Sequence, residues 1–460
     1  MAETMTQESP GNGASPVATW IAGLTFDDLS PEVCARVPVH LLDFIAVAAA
    51  GKVYADSSKS LRAATYPSHG PTVNPGADCT VVGETGALRM DLAAFLNGAY
   101  AHSLDFDDTT ISSSLHPGAP VIAAALPIAE ALQVGGSRLV IALAAGYEIA
   151  CRVGEALGQS PYDRGFHPTG LAGIFGAVAA GAVLRRLDEE QTASALGIAG
   201  SMASGSLQCL EDGTWNKRIH PGLAARDALF ALDLAHADFR GTADPLTGRY
   251  GALQAFSTDP DPSVLTAALG RDWRFLGTGV KPYPACRLTH GAIDAALEIR
   301  RTLSSGHLAG AGVTLEISPI ALDIVGGAVS TKLRPTTTVD GQFSAYFQVA
   351  TALQYGNLGW GVYDHLGDAA VEALIDQIEI TANPDVATAG AVLAVGDEEV
   401  RIDAPSGEPD GDLDFDVVER KFRSITTAVW APSRRDDIVS ALRDLPAAPD
   451  VAEVIRLLRA

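Results

Sequence analysis

The chain has 460 residues, of which 47% are apolar and 19% charged, a composition typical of globular proteins and not of disordered ones. Its 55 acidic and 32 basic side chains give a formal net charge of −23. This charge repels phosphate backbones and anionic lipids, so we expect neither nucleic acid nor a membrane as a partner. At about 100–200 residues per domain, the length predicts two or three domains.

The start of the chain differs in composition from the rest. Residues 1–16 are rich in Gly, Ser, Thr and Pro and lack the basic start and apolar centre of a secretory signal. We therefore predict a disordered tail over residues 1–16. The five cysteines are widely spaced and form no CxxC motif, which fits a reducing cytoplasm and argues against an iron–sulfur cluster or a structural zinc site.

Residues 17–269 carry apolar side chains at helical spacing along most of their length. Pro31 opens the first clear run, with Ser30 as its predicted N-cap. The further predicted elements are a short strand at 79–82, helices at 91–104, 187–202 and 223–237, and two helices within 121–157 separated by Gly135 and Gly136. This part of the chain is predicted to be all-helical apart from the short strand.

Two stretches without charged residues, 165–184 and 191–210, are each long enough to cross a bilayer at about 20 residues. The first is interrupted by several glycines and a proline, and the second is diluted by Ser, Thr and Gln. We predict that both are buried core helices, because small residues permit close approach of neighbouring helices.

The pattern changes after residue 270. Residues 313–317 and 378–381 alternate apolar and polar side chains, as half-buried strands do, and a helix is predicted at 369–376. Residues 392–395 and 400–402 flank Gly-Asp-Glu-Glu and predict a β-hairpin.

Helical periods return after a Pro-, Gly- and Asp-rich linker, at 417–424, 436–445 and 451–458. We predict a mainly α fold: a large all-helical domain over 17–269, an inserted smaller α+β lid domain over 270–404, and C-terminal helices over 405–460 that return to the first domain.

The densest group of polar residues lies between two predicted helices. His102, Asp105, Asp107, Asp108 and His116 fall within fifteen residues. The ordinary interpretation is a solvated loop or a helix cap, whereas carboxylates and imidazoles this close together also suit acid–base chemistry. A metal site is a further possibility, but the spacing matches no HxH, HExxH or EF-hand motif, and we predict none.

His167 precedes Pro168 at the start of a predicted helix. The positive end of a helix lowers the pKa of an imidazole there, which suits a neutral donor or a base. The other interpretation is that His167 only satisfies the helix end.

Lysine is scarce, and its placement is informative. The chain has six lysines against 26 arginines, and Lys217 and Lys281 lie in segments that are rich in Pro or Gly and contain no acidic residue. A lysine ammonium is a compact charge whose pKa responds to burial, which favours carboxylate binding or acid–base work over a surface role. The sequence has no GxGxxG motif after a strand and no P-loop, which argues against nicotinamide binding and P-loop phosphate binding, and without a GxSxG motif a nucleophile elbow is unsupported.

Three segments together resemble the MmgE/PrpD family: 97–109 with His116-Pro-Gly, 217–225 and 281–294. The resemblance covers nearly the whole chain. It implies a helical domain with a smaller α+β lid, a homodimer, and no metal or organic cofactor. Members of this family include 2-methylcitrate dehydratase, cis-aconitate decarboxylase and iminodisuccinate epimerase.

The resemblance also implies a set of pocket residues. Carried over motif by motif, these are Asp105, Thr109, His116, His167, Lys217 and Lys281. The chain departs from the decarboxylases in two respects. A Ser-rich loop, residues 110–115, fills the interval between Thr109 and His116, and the lid lacks one pocket tyrosine. By this resemblance, the decarboxylases have a pocket Tyr shortly before an Arg-Pro segment of the lid, whereas residues 321–327 of this chain contain no Tyr. This departure favours dehydration over decarboxylation.

The shared chemistry of such enzymes is proton transfer at a carbon next to a carboxylate. We expect Lys217 and Lys281, helped by Arg287, to neutralise the carboxylates of the substrate. His116, oriented by Asp105, is expected to exchange the proton, and His167 to serve the opposite face or the leaving hydroxyl.

The sequence therefore predicts a lyase, first a dehydratase, acting on a small di- or tricarboxylate. An epimerase of the iminodisuccinate kind and a non-catalytic oligomer are the alternatives.

Overall fold

The structure is a computed structural model that describes residues 15–66, 79–302, 312–356, 359–409 and 413–460. The described chain is mainly α-helical, as predicted. Most of the predicted tail over residues 1–16 lies outside the described residues, and Pro16 already begins the first helix.

The first part of the chain consists of helices and one small two-stranded sheet. Its helices are α1 (Pro16–Gly23), α2 (Pro31–Tyr54), α3 (Ser58–Thr65), α4 (Met90–His102), α5 (Gly118–Leu132), α6 (Gly136–Leu157), α7 (Ser160–Asp163), α8 (Pro168–Arg185), α9 (Glu189–Ala199), α10 (Gln208–Asp212), α11 (Asn216–His236) and α12 (Ala252–Phe256). Its strands are β1 (Cys79–Thr80) and β2 (Ala87–Leu88), which pair antiparallel. The predicted strand at 79–82 is therefore shorter than expected.

Local sequence explains where several of these helices begin and end. The Ser30 hydroxyl accepts a hydrogen bond from the main-chain N–H of Val33, so Ser30 is the N-cap of α2 as predicted. The predicted break at Gly135 is confirmed, because α5 ends at Leu132 and α6 begins at Gly136.

One helix begins earlier than predicted. The expected start of α11 was residue 223, but the helix begins at Asn216 and contains Pro221 in its second turn. Proline lacks an N–H and usually ends a helix, so its presence concealed the first turns. Lys217 therefore lies in the first turn of a helix and not in a loop.

Helix α8 packs against α5, α6 and α11. Small residues permit this packing: a Cβ atom at Gly176 would lie 2.4 Å from the carbonyl oxygen of Gly146 on α6. Helices α2 and α8 are long and apolar enough to cross a membrane by length and composition alone. Most of each helix is buried inside the protein, which accounts for its apolar character.

The second part of the chain combines helices with a four-stranded sheet. Its elements are α13 (His290–Thr302), β3 (Val313–Ile317), α14 (Pro319–Ala321), α15 (Ser330–Leu333), α16 (Thr338–Gln342), α17 (Ala345–Tyr355), α18 (Ala369–Ile375), β4 (Ile378–Ala382), β5 (Ala391–Val395) and β6 (Glu398–Ile402). The strand order is β4-β3-β5-β6, with β3 and β4 parallel and the other pairs antiparallel. The predicted hairpin is β5–β6, and its second strand begins two residues earlier than expected.

Three helices end the chain: α19 (Phe415–Ile425), α20 (Pro432–Arg443) and α21 (Val451–Arg456). Helix α19 packs against α2, and α21 packs against α5. The buried apolar residues form one large cluster from the first part and the C-terminal helices and a second cluster from the α+β part. The division into domains at residues 270 and 404 stays a prediction.

The contact between α4 and α11 depends on two glycines. A Cβ atom at Gly222 would lie 2.2 Å from the carbonyl oxygen of Phe95, and one at Gly98 would lie 2.9 Å from the Cα of Gly222. Such close approach of two backbones leaves no space for a methyl group.

We expect Gly222→Ala to lower the free energy of unfolding by about 3 kcal/mol, the upper end of typical overpacking costs. Chemical denaturation of the purified variant measures this change. Gly23→Ala is the control, because nothing lies within 4 Å of a Cβ atom at that helical position. Equal stability of Gly222→Ala and Gly23→Ala would contradict the packing described here.

Candidate active site

A cavity of about 110 Å³ lies where the α4–α5 loop and the starts of α8 and α11 meet the α+β part of the chain. Its walls are formed by Asp105, Thr109, Thr110, Ile111, Ser114, His116, Gln159, Tyr162, His167, Lys217, Lys281, Cys286, Arg287, Leu288, Ile320, Ile324, Phe343 and Thr388. The structure therefore brings all seven site residues predicted from the sequence to one cavity.

The Asp105 carboxylate is shared by two lysines. Lys217 Nζ lies 2.5 Å from Oδ1, and Lys281 Nζ lies 3.2 Å from Oδ2 and donates to the main-chain oxygen of Asp105 at 3.0 Å. Burial alone would raise the pKa of Asp105, but the ammonium groups of Lys217 and Lys281 hold it well below its usual value. Two cations and one anion leave a positive charge at the cavity wall, which suits an anionic ligand.

Local backbone structure positions these three residues. Asp105 follows α4 with a φ of +51°, a left-handed conformation that Asp tolerates better than most residues. Lys281 follows a short antiparallel bridge, in which Thr109 and Gly279 exchange two main-chain hydrogen bonds of 3.0 and 2.9 Å. Lys217 is on the first turn of α11.

His116 is held by main chain and by a carboxylate. Its Nδ1 lies 3.0 Å from the carbonyl oxygen of Asp108 and 3.5 Å from Oδ2 of Asp107. A carbonyl oxygen only accepts, so Nδ1 carries the proton and Nε2 keeps its lone pair. Burial holds the pKa of His116 well below its usual value despite Asp107. His116 is therefore a neutral base at neutral pH.

The carboxylate nearest to His116 differs from the one predicted. We expected Asp105 to orient this ring, but Asp105 pairs with the two lysines, and Asp107 lies beside His116. Asp107 Oδ2 also accepts a hydrogen bond of 2.8 Å from Nδ1 of His102. Burial would raise the pKa of Asp107, but His102 and His116 hold it below its usual value.

Asp108 is a helix cap, as one interpretation of the sequence proposed. Its Oδ1 accepts a hydrogen bond of 3.0 Å from the main-chain N–H of Gly118 at the start of α5. Its Oδ2 accepts from His40 Nδ1 at 2.9 Å and from the Tyr147 hydroxyl at 2.6 Å. Asp108 thus fixes the loop behind the cavity and has no contact with its interior.

The residues at the start of α8 complete this side of the cavity. The Thr169 hydroxyl accepts a hydrogen bond of 3.1 Å from the main-chain N–H of His116. His167 Nδ1 lies 3.0 Å from Nδ1 of His220 on α11. The Thr109 hydroxyl donates to the carbonyl oxygen of Leu115 at 3.2 Å.

Arg287 lies in the cavity wall, but its guanidinium already has protein partners. It donates to Glu408 at 2.5 Å and to the carbonyl oxygens of Pro405 and Ser406 at 3.3 and 2.8 Å. A further contact of 3.0 Å joins it to Nδ1 of His290. Arg287 therefore has few donors left for a substrate carboxylate, and its predicted role in substrate binding stays a prediction.

Comparison with protein-family models identifies the fold. Residues 15–265 match the MmgE/PrpD N-terminal domain, and residues 283–445 match the MmgE/PrpD C-terminal domain. The chain belongs to the MmgE/PrpD family. The resemblance inferred from the three sequence segments is thereby confirmed.

Relatives of this MmgE/PrpD protein have names that refer to one reaction. It is 26% identical to the cis-aconitate decarboxylase-like protein oryM of Aspergillus oryzae, over 99% of both chains. It is 28% identical to cis-aconitate decarboxylase of Aspergillus terreus, over 63% of this chain and 62% of the relative. It is 31% identical to human cis-aconitate decarboxylase, over 47% of this chain and 46% of the relative. These relatives are lyases by name.

Sequence reasoning missed one residue that contacts the wall of this MmgE/PrpD cavity, His220, and several residues of the wall itself. His220 stands three residues after Lys217, a spacing that puts both on one face of a helix. That signal was available, but α11 was predicted to begin only at residue 223. Ile320, Ile324 and Phe343 form an apolar wall that no local pattern indicated.

One group of described residues has the composition of a metal site. Single potential ligand atoms of His102, Asp107 and His116 all lie within 4.8 Å of one another. Both histidine Nδ1 atoms already have hydrogen-bond partners, Asp107 and the carbonyl oxygen of Asp108. An ion coordinated through these two Nδ1 atoms would have to replace both bonds, and the absence of a metal stays a prediction.

We expect dialysis against EDTA to leave the melting temperature unchanged, because no bound ion contributes to stability. An ion bound to the folded state at 100 times its Kd would add about 2.7 kcal/mol, which calorimetry detects readily. Elemental analysis before and after dialysis is the control for removal. A lower melting temperature that one divalent ion restores, and that Asp107→Asn abolishes, would contradict the prediction.

Proposed function

We propose that this protein is a cofactor-independent lyase that acts on a small di- or tricarboxylate by proton transfer next to a carboxylate. The observation that carries the proposal is the pair of lysines sharing Asp105 in the same buried cavity as the neutral base His116. Proton removal beside a carboxylate requires a positive wall and a base, and return of the proton to the carbon uses the same base in its protonated form.

The lysines support binding of an anion and stabilisation of its transition state. Proton removal beside a carboxylate creates an enediolate-like dianion, whose extra charge needs fixed cations. Lys281 is only 1% exposed, so its charge acts in surroundings from which most water is excluded. Lys217 pairs with Oδ1 of Asp105 and Lys281 with Oδ2, so the two ammonium groups flank the Asp105 carboxylate.

The reaction proposed first is decarboxylation. The full-length relative is named as decarboxylase-like, and the other two relatives are named decarboxylases. The apolar wall of Ile320, Ile324 and Phe343 supports this reaction, because uncharged carbon dioxide is more stable beside it than a carboxylate is. This order reverses the expectation from sequence alone, which put dehydration first.

Dehydration is the second candidate, and one observation favours it. Ile324, and Ile320 just before it, bring the segment around residues 321–327 to the cavity wall. The decarboxylases have a pocket Tyr in this segment by resemblance, and this chain has none. His167 would then protonate the leaving hydroxyl. The family resemblance also supports a homodimer, and the five widely spaced cysteines support a reducing cytoplasm; we include both in the proposal.

A substrate panel in deuterium oxide tests the proposal. The panel holds citrate-like, aconitate-like and imino- or hydroxydicarboxylate compounds, and NMR follows carbon dioxide loss, water loss and hydrogen exchange. We expect loss of carbon dioxide or water from at least one compound. Hydrogen exchange without either loss would favour an epimerase, and no reaction with any compound would contradict the proposal.

We expect His116→Asn to slow this reaction by the 10²–10⁴-fold typical of a lost general acid–base. The amide keeps much of the size and polarity of the ring, so folding and substrate binding should remain. Because Asp108 and not His116 caps α5, the melting temperature should change little. A lower melting temperature with an unchanged rate in the folded fraction would remove His116 from the mechanism.

We expect Lys281→Met to lower kcat/KM by about 10²–10³-fold, the cost typical of removing one group that stabilises developing negative charge. Lys281→Arg should be nearly as harmful, because a planar guanidinium does not fit a site built for a compact ammonium. Lys59→Met, at an exposed position of α3, is the control. Wild-type kcat/KM in Lys281→Arg would contradict the assigned role.

A further inference from the structure

Two buried histidines lie in contact at the edge of the cavity. His167, directly before α8, is 1% exposed, and His220, in the second turn of α11, is 7% exposed. Their Nδ1 atoms are 3.0 Å apart. His167 lines the cavity, whereas His220 lies outside the set of residues that form its wall. His220 is therefore a partner of the wall residue and not a part of the wall.

Two Nδ1 atoms at hydrogen-bond distance hold one hydrogen between them. A neutral imidazole carries its proton on one nitrogen only, so one ring donates from Nδ1 and the other accepts there. The tautomers of His167 and His220 are thereby coupled. When His167 donates from Nδ1, its Nε2 is a base, and when it accepts, its Nε2 carries a hydrogen. Since Nδ1 is taken by His220, Nε2 is the nitrogen left for a ligand.

The surroundings keep both rings neutral at neutral pH. Burial, together with His102, Lys217 and the other nearby histidines, holds the pKa of His167 well below its usual value. Burial, His102 and Lys217 lower the pKa of His220 to about 4. The titratable groups that face the pair are thus His102 at the end of α4, His116 before α5, and Lys217 on α11.

Gly205 covers the pair. Its carbonyl oxygen accepts a hydrogen bond of 3.0 Å from the main-chain N–H of His167, and a Cβ atom at this position would lie 3.3 Å from Nδ1 of His220. The φ of Gly205 is +144°, a conformation that glycine adopts without strain. The loop therefore packs directly on the Nδ1–Nδ1 contact.

We propose that His220 is the positioning residue and the proton partner of His167. In the resting pair, His167 has Nδ1–H and a lone pair at Nε2, and His220 has Nε2–H and a lone pair at Nδ1. When Nε2 of His167 takes a proton from the ligand, the Nδ1 proton of His167 passes to Nδ1 of His220. His167 stays neutral and His220 becomes the imidazolium, and the reverse transfers return the proton to the ligand or product.

This inference rests on the proposed function, because it assigns a proton partner to a histidine of the same site. It also gives a reason for the three-residue spacing of Lys217 and His220 on α11. One face of α11 then carries both Lys217, which binds the substrate, and His220, which positions His167 as the base or acid.

The first experiment needs no substrate. The full-length protein is labelled with ¹⁵N in the histidine rings, and NMR detects scalar coupling between two Nδ1 atoms across a hydrogen bond. We expect one such coupling in the wild type and in His236→Asn, an exposed position at the end of the same helix. We expect its loss in His220→Asn. No coupling in the wild type, or coupling that persists in His220→Asn, would overturn the inference.

The second experiment measures kinetics on whichever panel compound reacts. The amide of Asn can reach the position of Nδ1 and keep a hydrogen bond to His167, but it does not titrate. We expect kcat of His220→Asn to fall about 10–100-fold, because the amide cannot take the Nδ1 proton of His167; the loss of a hydrogen-bond partner of a metal-ligating histidine has a cost of this size. KM should stay within about twofold, and the acid limb of the kcat profile against pH should change.

A merely structural role makes a different prediction. His220→Asn would then match the wild type in kcat and pH profile, or would show only a raised KM or a lowered melting temperature. Either result would overturn the inference. If His220→Asn does not fold, His220→Gln replaces it, and the coupling in the wild type remains decisive. If no panel compound reacts, the proposed function fails, while the coupling measurement still decides whether the histidine pair exists.

Discussion

One carboxylate shared by two ammonium groups holds the cavity together. Asp105 comes from the loop after α4, Lys217 from the first turn of α11, and Lys281 from the segment that leads to α13. Removing one member of such a buried group leaves the others uncompensated in surroundings of low dielectric constant, which is strongly destabilising. The same three charges that join these parts of the chain also give the cavity its positive character.

A second buried network supports the loop from behind. Lys421 on α19 donates to Asp43 on α2 at 2.6 Å and to the carbonyl oxygen of Phe106 at 2.7 Å. Burial raises the pKa of Asp43 to about 6, even though Lys421 opposes the shift. Asp108 caps α5 from the same loop. The loop between Asp105 and His116 is therefore held by helices at both ends of the chain, which explains how its side chains keep one arrangement.

Burial has two effects on the chemistry of the site. It lowers the pKa of His116 and His167, so that both rings are neutral and able to accept protons at neutral pH. It also strengthens the attraction between the lysines and an anionic ligand, because little water is present to screen them. The close helix packing permitted by residues such as Gly176 and Gly222 makes this burial possible.

The sequence by itself determined the mainly helical fold, the β5–β6 hairpin, the family and the residue types that meet in the cavity. Helical and strand periods and motif spacing are local properties, so the sequence alone reveals them. Only the tertiary structure decided the pairings: Asp107 and not Asp105 beside His116, Glu408 on Arg287, and His220 on His167. The last two pairs join residues 121 and 53 positions apart, and which atoms meet depends on how the helices pack.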